Sequence, residues 1–212
     1  MKKIPTLFER TFKNQKVSGI TDKVTLGMEW VLDGEGAATV KIDGSCTAVI
    51  DGKFYKRYDA KNGKTPPPGA IPCCDPDPVT GHWPHWVEVD PDSKADRWLW
   101  AAFQNADTAH FGDGTYEAIG PHFQRNPYKL EADTLEKHGV RTIDANSGLE
   151  RSFEGIREYL RTNPIEGIVF WRDGEPQCKI KRRDFGFEWP CDGCEDIWPA
   201  WTETPVKKES AT

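Results

Sequence analysis

The sequence predicts an α+β fold of antiparallel sheets flanked by a small number of helices. Two strand-like runs close on Asp51-Gly52 and Asp173-Gly174, a dipeptide that accepts the positive φ angles of a two-residue type I′ turn and so pairs its flanks antiparallel. Only two stretches carry a helical period. The 212 residues, 37 % hydrophobic and 11 % aromatic, hold enough apolar material for one sizeable core, and no repeat or low-complexity tract divides them. One domain is expected over residues 1–202, with a polar, flexible tail at 203–212.

In chain order, strands are predicted at residues 28–32 and 37–42, then a hairpin of 45–50 with 53–58 around Asp51-Gly52. Residues 61–91 contain eight prolines in 31 positions and read as a long loop. A helix is predicted at 92–107, with Trp98, Ala101, Ala102 and Asn105 on one side, and a strand at 115–119. Ser147-Gly148-Leu149-Glu150 has the form of a capping box, after which Leu149, Phe153, Ile156 and Leu160 recur at helical spacing until Asn163-Pro164 stops them. The second hairpin joins 167–172 to 175–181.

Several classes are disfavoured at once. The longest run without a polar residue, Trp98 to Phe103, falls far short of the roughly 20 residues that span a bilayer. Pro5, Glu9 and Arg10 interrupt any export signal begun by Met1-Lys2-Lys3, so an intracellular, cytoplasmic location and mostly free thiols among the six cysteines are expected. The net charge of -6 disfavours nucleic-acid binding through the whole surface. Locally the balance reverses: Lys2, Lys3, Arg10, Lys13, Lys16 and Lys23 stand near one end, and Lys179, Lys181, Arg182 and Arg183 crowd the other, which suits a phosphate-rich ligand.

The sharpest chemical signal is Val40-Lys41-Ile42-Asp43-Gly44, a lysine ending an apolar strand before a tight turn. Alone it is equally a solvated lysine before a turn. Downstream, in order, come Gly114-Thr-Tyr-Glu117-Ala-Ile-Gly120, Glu166-Gly-Ile-Val-Phe170 and Lys179-Ile-Lys181. A two-residue turn at Asp173-Gly174 pairs positions summing to 347, setting Glu166 against Lys181 and Ile168 against Lys179. Alternation then gathers Glu166, Ile168, Phe170, Gln177, Lys179 and Lys181 on one face and assigns Gly167, Val169, Trp171, Pro176, Cys178 and Ile180 to the core. The first face offers a carboxylate, two ammonium groups and an apolar floor, as a nucleotide with a metal-bound phosphate requires. The alternative is a surface ion pair worth a few tenths of a kcal/mol.

This ordered set resembles the covalent nucleotidyltransferase superfamily of ATP-dependent DNA and RNA ligases and capping enzymes. Lys41-Ile-Asp-Gly44 is similar to motif I, Tyr116-Glu117-Ala-Ile-Gly120 to motif III, Glu166-Gly-Ile-Val169 to motif IV and Lys179-Ile-Lys181 to motif V, a span of 141 residues. The resemblance implies a ligase-type nucleotidyltransferase (adenylation) domain. DNA ligases and capping enzymes usually place an arginine two residues after the motif I glycine and append an OB-type domain. Here position 46 is Cys46, and 31 residues follow Lys181, so no OB domain is expected. RNA ligases often carry the arginine at the end of the next strand, where Lys56-Arg57-Tyr58 stands. Gly27-Met-Glu-Trp30-Val is similar to the lead-in of the RNA ligase 2-like branch, although the usual His-Gly-x-Asn is replaced by Asp43-Gly44-Ser45-Cys46. The chain most resembles the small single-domain ATP-dependent 5′-3′ RNA ligase family that has a human member.

The resemblance implies that Lys41 attacks the α-phosphorus of ATP, expels pyrophosphate and holds AMP, which then passes to an RNA 5′-phosphate and is displaced by a 3′-hydroxyl. It further implies Glu166 as a ligand of Mg²⁺ or Mn²⁺, Glu117 on the ribose hydroxyls, and Lys179 and Lys181 on the α-phosphate. Arg57 would contact phosphate or the nucleic-acid end, and Ile168 or Phe170 would pack against adenine. Lys41 needs a neutral amine; Lys179, Lys181 and a divalent cation are expected to lower its pKa by like-charge repulsion. Asp43 and Gly44 are assigned to turn geometry. No obligate protein partner is evident.

Other signals are weaker. Cys191-Asp-Gly-Cys194 has zinc-knuckle spacing, with Cys73-Cys74 and His82-x-x-His85 as distant partners, but His-x-x-His is short for a finger. Trp189, Trp198 and Trp201 read as packing residues for the C-terminal segment, and His138-Gly139 as a helix C-terminus. The rival functions are a capping-type guanylyltransferase, which shares the Lys41 chemistry, and a non-catalytic RNA-binding or zinc-stabilised interaction module.

Overall fold

The computed structural model describes residues 3–14, 16–60, 63–78, 80–106 and 112–196. Trp198, Trp201 and the tail at 203–212 lie outside them. The fold is mixed α+β and mostly antiparallel. β1 (Phe8–Lys13) and β2 (Lys16–Val24) form a hairpin; β3 (Ala37–Lys41) leads into β4 (Ser45–Ile50) and β5 (Lys53–Ala60). β6 (Ile71–Pro72), β7 (Trp83–Glu88) and α1 (Arg97–Asn105) follow, then β8 (Gly114–Ile119), β9 (Thr134–Lys137) and β10 (Thr142–Ile143). The chain continues through α2 (Phe153–Thr162), β11 (Gly167–Arg172) and β12 (Glu175–Lys181). No helix among the described residues is long and apolar enough to cross a membrane.

Two sheets dominate, one of order β10-β3-β11-β12 and one of order β6-β7-β5-β4-β8-β9. Each is backed by one helix. Ile156 and Leu160 of α2 are fully buried with Ile168, Phe170, Cys178 and Ile180 of the first sheet, while Leu99, Trp100 and Phe103 of α1 pack on Val49, Phe54 and Tyr116 of the second. The turn after β3 carries the chain from one sheet to the other, so Lys41 stands at their junction. An N-terminal stretch adds to the edge of the first sheet: the Leu7 amide donates to the Lys179 carbonyl at 2.8 Å, and the Lys179 amide donates to that of Pro5 at 3.1 Å.

Both Asp-Gly hairpins form as expected, with Asp51 at φ 50° and Asp173 at φ 54°. Other expectations need correction. Residues 28–32 make no strand; a 3-10 turn at Glu29–Val31, between Gly27 and Gly34 in left-handed conformations, buries Trp30 and Val31 together. The proline-rich stretch contains β6 and β7, and β7 pairs with β5 along its whole length; Pro84 and its proline-rich surroundings hid it. The N-terminal basic segment is the β1–β2 hairpin, unreadable because most of it is exposed and lacks alternation. Residues 92–96 form turns rather than helix, and α1 buries the Leu99, Ala102 and Phe103 side, leaving Trp98 39 % exposed. α2 starts five residues after the capping box: Gly148 has φ +80°, which no helix includes, and Ser152 is the N-cap, its Oγ accepting from the Gly155 amide at 3.0 Å.

The largest correction concerns the second hairpin. Arg172 pairs with Glu175 and Trp171 with Pro176, as a two-residue turn dictates, but Phe170 pairs with Cys178, leaving Gln177 unpaired in a bulge. Beyond the bulge, partners sum to 348 rather than 347. Ile168 and Phe170 therefore turn inward and are fully buried, whereas Val169, Lys179 and Lys181 turn outward.

Candidate functional site

Register across three strands builds one wall. Lys41, Gly167 and Lys181 lie in one row, and Thr39, Val169 and Lys179 in the next. Gly167 is required there, since a Cβ would overlap the Ile180 carbonyl oxygen and approach Lys181 Cα to 3.0 Å. Glu166, one residue before β11, escapes the pleat and bridges the row: its Oε2 accepts from Lys41 Nζ at 2.6 Å and its Oε1 from Lys181 Nζ at 2.5 Å. Trp171 Nε1 donates to Thr39 Oγ1 at 2.8 Å, closing the wall.

The six-stranded sheet supplies the facing wall. Cys46 and Glu117 are direct cross-strand partners on β4 and β8. Glu117 Oε1 accepts from the Gly44 amide at 3.1 Å, and Oε2 lies 2.8 Å from His138 Nε2. His138 Nδ1 is 2.9 Å from Thr115 Oγ1. Arg57 Nε donates to Asp59 Oδ1 at 3.0 Å. Between the walls lies a cleft of about 450 Å³ lined by Lys41, Arg57, Glu117, His138, Val169 and Lys179, among others.

The turn joining the walls is clamped. The Asp43 amide donates to Tyr128 Oη at 2.8 Å, and Asp43 Oδ2 accepts from Trp189 Nε1 at 2.7 Å. Asp43 thus anchors the C-terminal segment besides shaping the turn, and Trp189, 6 % exposed, packs in the core as its apolar character suggested. Gly44 is fixed by close approach: a Cβ would overlap the Ala118 carbonyl oxygen and come within 2.8 Å of Glu117 Cγ.

Electrostatics sort the lysines unexpectedly. Burial pulls the Lys41 pKa down, but Glu166, Glu117 and Asp43 outweigh it and the net direction is up, because carboxylates surround Lys41 more closely than its fellow lysines. Lys179 is the depressed one, lowered to about 8 by burial and then by Lys41, Lys181 and Arg10. Burial raises the Asp43 carboxyl, and burial with Glu117 pushes the Cys46 thiol up to about 12.

Of the expected site residues, Lys41, Arg57, Glu117 and Lys179 line the cleft, while Glu166 and Lys181 join it through the Lys41 ion pair. Ile168 and Phe170 do not face it. Val169 takes their place, and His138, Thr39 and Trp171 were missed; His138 follows β9 and ends no helix. Glu166 alone is a poor resident metal site, as both oxygens already accept from ammonium groups. It fits a cation that arrives on the phosphates of a nucleotide, which bring most of its oxygen ligands. Among the described residues the zinc candidates stay scattered: Cys194 Sγ donates to the Pro127 carbonyl at 3.0 Å, and His85 Nδ1 lies 2.9 Å from the Trp83 carbonyl oxygen.

A second cleft lies beyond Gly44, Cys46 and Arg57, bounded by Lys56, Trp98, His122 and Gln124. The Trp98 and His122 rings stack at 3.4 Å with 9° between planes, and His122 Nδ1 is fixed 2.7 Å from Asp133 Oδ2. Gln124, Arg125 and Asn126 are three successive left-handed residues, and Gln124 Nε2 donates to the Gly44 carbonyl at 3.2 Å. Such strain concentrates at functional sites. No protein-family model matches the chain, and no curated protein matches it in sequence.

Proposed function

We propose that this protein is a covalent nucleotidyltransferase of the ligase type, using ATP to join RNA 5′-phosphate and 3′-hydroxyl ends through a lysyl-AMP intermediate. The observation that carries this reading is Glu166 bridging Lys41 and Lys181 at the junction of two sheets, with Lys179 and Glu117 on the same cleft. Four sequence segments that resemble the superfamily's motifs in order thereby lie close together in space.

In this mechanism Lys41 Nζ attacks the α-phosphorus in line: the N–P bond forms, the P–O bond to pyrophosphate breaks and one Nζ proton passes to solvent, but the ammonium must first have given up another to free its lone pair. Glu166 Oε2, 2.6 Å away, is the acceptor within reach. Lys179 and Lys181 neutralise charge on the phosphoryl oxygens. Glu117 orients the ribose, and Val169 and Trp171 take the apolar contact first assigned to Ile168 or Phe170; Glu166 would help hold Mg²⁺ or Mn²⁺, which would supply neutralisation of phosphate charge. The second cleft suits the polynucleotide end, since it shares Arg57 with the first and offers an aromatic stack for a base.

The test is intact mass after incubation with ATP or GTP and Mg²⁺. One AMP per chain is expected from ATP and none from Lys41→Ala, which should keep the wild-type unfolding free energy within about 1 kcal/mol. A folded wild type without an adduct would defeat the reading, and GMP in place of AMP would transfer it to capping chemistry.

A further inference from the structure

We propose that Cys46, Glu117 and His138 form a site for zinc or a similarly soft divalent cation, and that its occupancy excludes ATP from the cleft. The exclusion rests on the ligase reading; the metal site does not. One ligand atom from each residue lies within 4.8 Å of the others. Three adjacent strands supply them: Cys46 faces Glu117 across β4 and β8, and His138 directly follows β9, which pairs with β8. Sites built on paired strands hold their geometry better than sites on loops.

The donor set is selective. Thiolate, imidazole and carboxylate together match zinc, whereas magnesium takes oxygen ligands. His138 is oriented from behind, with Thr115 Oγ1 2.9 Å from its Nδ1. A hydroxyl both donates and accepts, so Thr115 supports either imidazole tautomer: Nε2–H directed at Glu117, or Nδ1–H directed at Thr115 with the Nε2 lone pair free for metal. On binding, Cys46 Sγ–H releases its proton to solvent and the His138–Glu117 hydrogen bond is exchanged for two metal–ligand bonds. Glu117 Oε1 stays bound by the Gly44 amide while Oε2 turns to the metal. Three protein ligands leave a fourth position facing the cleft. In the ligase reading Glu117 holds the ribose, so metal and nucleotide compete for one carboxylate.

Cobalt(II) serves as the probe, because its thiolate charge-transfer absorption reports cysteine ligation directly. Titration of the full chain, without nucleotide, should give this absorption at one equivalent, with zinc displacing it. Cys46→Ser should abolish it, and His138→Asn should weaken metal binding roughly tenfold or more. The Cys191→Ser/Cys194→Ser double variant should retain it. No absorption in the wild type, its persistence in Cys46→Ser, or its loss only in the double variant would each overturn the site. Should Cys46→Ser fail to fold, unaltered cobalt affinity in His138→Asn would do so instead. In a second measurement, zinc should raise the ATP concentration for half-maximal adenylylation of the wild type but not of Cys46→Ser. A wild type that binds cobalt and never adenylylates would defeat the ligase reading alone.

Discussion

Lys179 carries a charge that its surroundings resist. Its folded pKa of about 8 lies below the ordinary 10.5, so below about pH 8 both folded and unfolded chains hold the proton and folding bears the full cost. As pH rises from about 8 toward 10.5 the folded chain releases that proton first, the cost fades, and stability from this group increases. Lys179→Met should therefore stabilise the protein at pH 7 by on the order of 2 kcal/mol, and by progressively less toward pH 10. Urea denaturation across that range checks it; a gain independent of pH would show packing rather than charge. Gly44→Ala should cost about 1–3 kcal/mol by driving a Cβ against the Ala118 carbonyl oxygen and Glu117 Cγ, read as a lowered urea midpoint with unchanged slope. At this scale the motif lysines and carboxylates were legible because they fall in short strings. His138 was not: its partner Glu117 is 21 positions away on another strand, and no local pattern records that meeting.

Elements decide which side chains those strings present. Both Asp-Gly turns were readable, and so were Cys178 and Ile180 as core and Lys179 and Lys181 as outward residues, but the face of β11 was not, because the unpaired Gln177 shifts its partners by one. Bulges carry no reliable sequence signature when the extra residue is not glycine. Deleting Gln177 should close the bulge yet keep Phe170 opposite Cys178 and Val169 opposite Lys179, so the deletion, like Gln177→Ala, is expected to retain a single cooperative transition in urea. The start of α2 was misread for a comparable reason, two serines five residues apart competing for the cap. Ser152→Ala should cost about 1 kcal/mol in chemical denaturation, and Ser147→Ala much less, since Ser147 lies outside the helix. β7 and the β1–β2 hairpin escaped notice because proline and exposed polar residues erase the alternation that marks a strand.

At the scale of the molecule, two clefts share one rim at Gly44, Cys46 and Arg57. If the outer cleft holds the RNA end, Trp98→Ala should leave adenylylation by ATP intact while slowing sealing of 5′-adenylylated RNA roughly tenfold or more, with the loss in KM. Equal sealing by wild type and variant in single-turnover assays would remove that role from the Trp98–His122 stack. The α+β class was legible because strand and helix patterns are local, but the meeting of the sheets depends on side chains that no short window contains. The pairing of Lys41 with Glu166 spans 125 positions, and the backbone of Lys179 is held by Pro5 and Leu7 from near the opposite end of the sequence. Such distant closures come late in folding, because the chain between them must first be ordered. On the ligase reading, a ribosome would expose Lys41 long before the residues that make it reactive exist, and the proposed nucleophile would stay inert throughout synthesis. In refolding from denaturant, covalent labelling by ATP should accordingly return with the slowest kinetic phase rather than with the early recovery of strand signal.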